Sequence, residues 1–524
     1  MLETKCSNMR DLKQLHAQVI KTGLAHDTIA LSRVLAFCAT SPMGDINYAM
    51  LLFSHIQHPN PFTWNTIIRG FSHSSMPHQA ISLFFHMLLH SPIQPQRLTY
   101  PPLFRAYAQL ALADEGAPLH ARILKLGLES DPFIHNSLIF MYAICGYLAH
   151  ARLLFNENSA FDIVSWNSMI LGLARNGEVD DSRRLFDRMP MRNTISWNSM
   201  ISGYVGNGRY KEALDLFHQM QNARVEPSAH TMASLLGACT CLGALQQGEW
   251  IHAYMEQNDI ETNLILLTAI IDMYCKCGRV DKALQVFEDA PRKGLSSWNS
   301  IISGLAIHGC GEEAIQIFSR LQSSLQPDHV SFLGILTACN HSGMVDEAQY
   351  YFSLMIKTYK IQPTIKHYSC MVDLLGRAGQ LEEAEELINN SMPIDPDVVI
   401  LGSLLSACRN HGNIEIGERV AKQIIKLDPR ESCSYVLLSN AYAATGRFTD
   451  AVGMRQMMKE KHVWKDPGCS SVEVDGVVHE FVADGRLHPR AKEIHVLLDE
   501  LGLMLKEAGH LENATMDLLD FDRL

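Results

Sequence analysis

Between Ser196 and Gln221 the apolar positions form two helical stripes with a break between them. Trp197, Met200, Ile201 and Tyr204 fall at i, i+3, i+4 and i+7, the spacing of one helix face. Gly206-Asn207-Gly208 then interrupts the pattern, since glycine tolerates the left-handed conformation that closes a helix. Ala213, Leu216, Phe217 and Met220 resume it, which predicts two helices folded back on each other, with Ala213 small where they touch. The same punctuation recurs. Gly146, Gly177, Gly208, Gly243, Gly278, Gly309, Gly343, Gly379, Gly412 and Gly446 lie 31 to 36 residues apart, and a small residue follows each by five, from Ala151 to Ala451. Gly44 with Ala49 fits as well, and Ser75 with Ala80 and Ala111 with Gly116 continue the series with a substituted turn. A single hairpin cannot cover its own stripe, so neighbours must stack. The expected fold is an all-α solenoid of helix-turn-helix hairpins.

At 524 residues the chain exceeds what one hydrophobic core serves, which agrees with an array. No apolar run approaches the roughly 20 residues that span a bilayer, and the polar opening is no secretory signal, so a soluble protein with no membrane partner is expected. The net charge of −12 runs against the basic balance common in nucleic-acid binders, although a groove can be positive on an acidic body. Thirteen cysteines include no CxxC. Cys239 and Cys339 share one repeat position and Cys145 and Cys277 another, which reads as small helix residues in a reducing compartment rather than disulfides or zinc ligands.

Four tryptophans are followed by asparagine: Trp64-Asn65, Trp166-Asn167, Trp197-Asn198 and Trp298-Asn299. Each asparagine stands ten residues before its turn, as do Asn136, Thr268 and Ser369. The tryptophan joins the packing stripe, and the next residue points about 100° away. Asparagine is a poor helix-interior residue. Its recurrence at one phase fits a solvated face or a helix-start cap, or else an amide that offers donors and an acceptor to a base edge.

The segment TISWNSMISGYVGNGRYKEALDLFHQMQNARVEPS, Thr194–Ser228, resembles a pentatricopeptide repeat of plant organellar proteins, and the varying lengths look like that family's P-, L- and S-type motifs. An incomplete L-type repeat at 1–27, containing LKQLHAQVIKTGL, precedes an array over 28–396. Its units are 28–60, 61–96, 97–131, 132–162, 163–193, 194–228, 229–263, 264–294, 295–328, 329–364 and 365–396. The resemblance implies a right-handed solenoid that binds single-stranded organellar RNA, one base per repeat, through the fifth and last residues of P- and S-type motifs. The implied pairs are Ser32/Asn60 for adenine, Asn136/Asp162 and Asn299/Asp328 for uracil, Asn198/Ser228 for a pyrimidine with cytosine first, and Asn167/Asn193 for either pyrimidine. Asn65/Gln96, Thr268/Gly294 and Ser369/Pro396 depart from the defined pairs. The L-type motifs place Pro101, Ala233 and Leu333 at the fifth position, where they act as spacers.

Asp397–Arg430 and Glu431–Trp464 resemble the E motifs of this family, giving an E-type region over 397–464. Lys465–Phe481 alternates apolar and polar residues around Asp475-Gly476, a hairpin signal, and Ile494, Leu497, Leu498, Leu501, Leu505 and Ala508 mark a following helix. Pro467-Gly468-Cys469-Ser470 and His488-Pro489 look like the opening of the family's DYW deaminase domain, so 465–524 reads as a truncated DYW-like extension. His510-Leu511-Glu512 spells the HxE of a zinc deaminase, but no cysteine follows Cys469 to complete a metal site. His479-Glu480 reads as a solvated strand pair. No catalytic residue, metal or cofactor is expected. The expected function is site recognition for C-to-U editing of an organellar transcript, with a DYW-type deaminase or other editing factors recruited through 397–524. The alternatives are a factor for RNA stability, processing or splicing, and a protein-binding helical scaffold. The resemblance implies chloroplast or mitochondrion; no transit peptide is expected in the residues that open this chain, so that either a preceding portion is lacking or targeting uses another start.

Overall fold

The computed structural model describes residues 8–24, 27–157, 162–464, 468–474, 477–482 and 488–507. The chain divides into two compact units, residues 1–234 and 235–524, each a stack of antiparallel helical hairpins. The hairpin Thr194–Gly206/Tyr210–Asn222 stands for the rest. Asn193 caps its first helix by accepting the Ser196 N–H at 3.0 Å. Gly208, at φ 73°, lies in the left-handed turn that separates the helices. Trp197, Met200, Ile201 and Tyr204 are buried, as are Ala213, Leu216, Phe217 and Met220. The ten regularly spaced glycines from Gly146 to Gly446 all have positive φ, and Ala111 takes the same conformation at 56°. Gly44 differs: it has no left-handed φ, and a Cβ there would lie 2.4 Å from the Cys38 carbonyl, so its turn needs closeness rather than conformation.

Contacts between successive hairpins repeat as regularly as the turns do. A phenylalanine near the end of one hairpin meets the tryptophan opening the next edge-on: Phe53–Trp64, Phe155–Trp166, Phe186–Trp197 and Phe287–Trp298, with ring centroids 4.7 to 5.1 Å apart. Ten residues after the tryptophan, a polar side chain donates to a carbonyl of the preceding first helix. Asn176 reaches Ala143 O and Asn207 reaches Ala174 O, both at 2.7 Å, and His308 reaches Cys275 O at 2.6 Å. Cys145 and Cys277 make the weaker sulfur version, to Tyr107 O and Cys239 O. Among the described residues the cysteines are free thiols; Cys239 and Cys339 are buried, whereas Cys241, Cys433 and Cys469 are exposed.

The last hairpins are Val398–His411/Ile414–Leu427 and Ser432–Ala444/Phe448–Glu460. Their caps are Asp397 and Glu431, so each helix begins one residue later than the motif boundaries read from sequence. Strands β1 (Cys469–Val474) and β2 (Val477–Val482) pair antiparallel with Cys469 opposite Val482. The turn at Asp475-Gly476 lies outside the described residues, as do Pro467, Ala508 and His510-Leu511-Glu512. His479 on β2 is half-buried and hydrogen-bonds His488 at 3.0 Å, so it is not a free solvated residue. The helix Ala491–Glu507 forms where its periodicity predicts, but Leu497, Leu498, Leu501 and Leu505 are exposed.

Candidate nucleic-acid interface

The fifth residue of a unit lies in the second turn of its first helix, and the last residue caps the next first helix. Stacking brings these two together. Asn136 Nδ2 donates to Asp162 Oδ2 at 2.7 Å, Asn299 Nδ2 to Asp328 Oδ1 at 3.1 Å, Asn198 Nδ2 to Ser228 Oγ at 2.8 Å, and Asn167 Nδ2 to Asn193 Oδ1 at 3.5 Å. The predicted residues of these four pairs therefore meet. Ser32 and Asn60 serve separately: Ser32 Oγ donates to Ile29 O, and Asn60 caps Pro61–Ser72 through the Thr63 N–H. Asn65 accepts from Thr99 Oγ1 at 2.7 Å, and Gln96 caps the following turn. Thr268 hydrogen-bonds Ser297 Oγ at 3.1 Å, beside Gly294, which brings no side chain to its cap. Ser369 is half-buried, and the residue matching Asp328 in its unit is Asp397, whose carboxylate accepts the Ile400 N–H at 2.9 Å. Pro396 is therefore one residue out of register; the helix cap, not the repeat length, defines the last position.

None of these fifth-position asparagines caps its helix; Asn136, Asn167 and Asn299 are less than a tenth exposed, and Asn65 and Asn198 are half-buried. A third residue, not singled out from the sequence, holds the amides of Asn136, Asn299 and Asn198. Ser165 Oγ donates to Asn136 Oδ1 at 2.5 Å, Ser331 Oγ to Asn299 Oδ1 at 2.6 Å, and Thr231 Oγ1 to Asn198 Oδ1. Each hydroxyl stands three residues after the cap, and its own backbone N–H bonds to that cap. The signal was present as Ser or Thr before each Trp-Asn pair: Thr63, Ser165, Ser196 and Ser297. Ser196 instead donates to Asn193, and Asn167 Oδ1 is buried with no partner among the described residues.

These bonds fix charge as well as direction. Burial would raise the Asp162 carboxyl, but the Ser165 amide, the Asn136 amide and the Ser165 hydroxyl outweigh it and hold its pKa below the ordinary value. Asp328 behaves alike: burial opposes, and the Ser331 amide and hydroxyl and the Asn299 amide prevail. Both are anionic acceptors at neutral pH. Beside them, the second residue of many first helices is an exposed apolar side chain: Phe62, Leu98, Phe133, Val164, Ile195, Ile265 and Val330. In the unit 1–234 the first helices enclose a groove of about 1180 Å³ lined by Asn65, Gln96, Asn136 and Asp162 together with Phe62 and Phe133. Polar pairs alternating with apolar faces form a surface for flat rings that carry hydrogen-bonding edges.

This array of capped hairpins defines a helical-repeat protein that carries a polar pair in four of its repeats. Family models described as PPR repeat match residues 62–91, 164–194, 296–324, 330–357 and 366–390. Another PPR repeat model matches 258–290, the PPR repeat family matches 192–241, and the E motif matches 411–473. A pentatricopeptide repeat-containing protein of Arabidopsis thaliana, named chloroplastic, is 59% identical over 503 residues, covering 96% of this chain and 90% of the relative. A mitochondrial one from the same plant is 37% identical over 608 residues, covering 96% and 89%. The chain belongs to the pentatricopeptide repeat family. Maize PPR10 shares the fold, with a TM-score of 0.51 and 17% identity over 86% of this chain and 71% of that one. PPR10 in complex with an 18-nt psaJ RNA element also gives 0.51, with 15% identity over 83% and 80%.

Proposed function

We propose that this chain binds one stretch of single-stranded RNA in a plant organelle and marks a cytidine there for editing. The observation that carries RNA recognition is the repeated bond between a fifth-position asparagine and the next helix cap, buttressed by a hydroxyl. It leaves the amides of Asn136, Asn198 and Asn299 with one N–H and one lone pair directed by the protein rather than by solvent. At Asn136/Asp162 and Asn299/Asp328 the cap is an acceptor only, which suits the N3–H of uracil while the amide N–H meets a carbonyl. At Asn198/Ser228 the cap hydroxyl also donates, which suits the acceptor edge of cytosine. The family name, the RNA-bound relative and the organellar names of similar proteins support the same reading.

The finer assignments rest on the resemblance. Ser32/Asn60 takes adenine, and Asn167/Asn193 takes either pyrimidine. The repeats choose the site, and residues 397–524, which include the matched E motif, recruit a DYW-type deaminase in trans. The chain itself supplies no catalysis. The test is selection of the purified chain on a randomised single-stranded RNA pool. Exchanging Asn198 for Thr and Ser228 for Asp should move one selected base toward guanine; an unchanged profile refutes the register. Loss of the gene should leave one organellar cytidine unedited. Normal editing at every site, with a footprint at a transcript end or intron, favours a processing or splicing role instead.

A further inference from the structure

The groove of the unit 1–234 holds cations that the base-reading pairs do not use. Arg69 lies one helical turn beyond Asn65, and Arg105 one turn beyond Pro101; both line the groove, both are exposed, and neither forms an ion pair among the described residues. His73 lines the same groove one turn beyond Arg69, and its Nδ1–H donates to Arg69 O at 2.9 Å. Burial depresses the His73 pKa, and both guanidinium groups lie near enough to depress it further. Two arginines thus line the groove with a neutral histidine, and Asp162 is the one carboxylate among the described residues that line it. The groove carboxylate Asp162 is engaged with Asn136 and Ser165, and Asp131 near the groove pairs with Arg97 at 3.6 Å.

The corresponding strip in the unit 235–524 is neutralised. Asp272 and Asp373 stand there one turn beyond Thr268 and Ser369, the positions that Arg69 and Arg105 hold relative to Asn65 and Pro101. Asp272 pairs with Lys276 at 3.1 Å, and Asp373 with Arg377 at 3.0 Å. A net charge of −12 therefore does not describe the groove of the first unit.

We propose that Arg69 and Arg105 grip successive phosphates of the bound RNA, so that the repeat 97–131, whose Pro101 reads no base, serves as a sequence-independent anchor. This rests on the RNA-binding reading above. Phosphate contacts hold register without carrying sequence information, and each one releases counterions. For single strands the slope of log K against log salt is about −0.7 per neutralised phosphate.

The experiment is a salt titration of binding to one selected single-stranded RNA, with the full chain, an R69Q/R105Q variant and a K276Q/R377Q control, each first checked for an unchanged melting temperature. The R69Q/R105Q slope should be shallower by about 1.4, as two lost phosphate contacts require. Its base profile on the randomised pool should match the parent, and the control slope should move less. A parental slope in R69Q/R105Q overturns the proposal, as does an equal change in the control or a shift of preference at a single base. If the parent chain binds no RNA, the RNA reading falls and the anchor with it. Binding that is intact in the parent but salt-insensitive in all three overturns the anchor alone.

Discussion

Ser331 Oγ donates to Asn299 Oδ1 at 2.6 Å, which turns the Nδ2 of that amide toward Asp328. Without the hydroxyl, Asn299 would be free to rotate, and Asp328 would lose a donor that keeps its carboxyl ionised. Ser331→Ala should therefore blur selection at one nucleotide, with uracil and cytosine recovered more equally from a randomised pool. Stability should fall by about 1–3 kcal/mol, because Ser331 Oγ also accepts the Asp328 N–H and its loss leaves a buried amide oxygen unpaired. Sharp uracil selection in Ser331→Ala would remove the buttress from the mechanism. Asn198/Ser228 offers the companion case, where Thr231→Val keeps the shape but removes the bond to Asn198 and should relax preference at a different base. At this scale the fifth-position residues were legible because Trp-Asn repeats in phase. The hydroxyls were not, because a serine three residues into a helix also reads as an ordinary partner of the cap.

Between elements, the spacing of successive first helices is set by residues with almost no side chain. A Cβ on Gly304 would come within 2.1 Å of Cys275 Sγ, and one on Gly203 within 2.6 Å of the Ala174 Cβ. Neither residue needs an unusual φ; each is glycine because the neighbouring helix passes against it. Alanine normally favours a helix over glycine by about 1 kcal/mol. Gly304→Ala should nevertheless destabilise by about 1–3 kcal/mol, the range for overpacking. Gly237, inside the helix Ala229–Leu242, has nothing within 4 Å of its Cβ position, so Gly237→Ala should stabilise by about 0.5–1 kcal/mol. Urea melts of the two variants should move in opposite directions; a shared gain would show that propensity alone governs both, and a shared loss that Gly237 is closely packed as well. Hairpins, turns and inward stripes were readable because each is local, and its period survives in one sequence. The last-position register near residue 396 was not: Asp395, Pro396 and Asp397 all suit a helix start, and only the bond from the Ile400 N–H selects Asp397.

Across the whole chain, stability has a pH dependence whose sign follows from where the histidines lie. Burial is the leading cause of a lowered pKa at His16, His73, His120, His252 and His367. His367 is the clearest, for it is fully buried at the third place of its helix, where Ser165 and Ser331 stand in other units. Its Nδ1 accepts the Thr364 N–H at 3.1 Å, so Nε2 carries the proton and donates to His329 O at 2.8 Å. Protonating Nδ1 would destroy that acceptor and bury a charge near His329. The unfolded chain takes up protons near 6.5, above the folded values, so it binds more of them as the solution acidifies. The contribution of these neutral histidines is complete above about pH 6.5 and declines as pH falls below it toward the lowered folded values. The paired carboxylates behave likewise lower down, since Asp162 and Asp328 are depressed from 3.8 and lose their contribution only as pH falls past that value. The melting temperature should therefore hold from pH 8 to 7, drop as pH falls below about 6.5, and drop again below about 3.8. His367→Ser restores the residue type of the other units and removes one titrating group, at the expense of a cavity. Its melting temperature should be lower than the parent's at pH 8, and its loss between pH 7 and 5.5 smaller. A larger loss in His367→Ser than in the parent would mean that His367 is not held neutral in the folded chain, and that the downward slope belongs to the other four histidines.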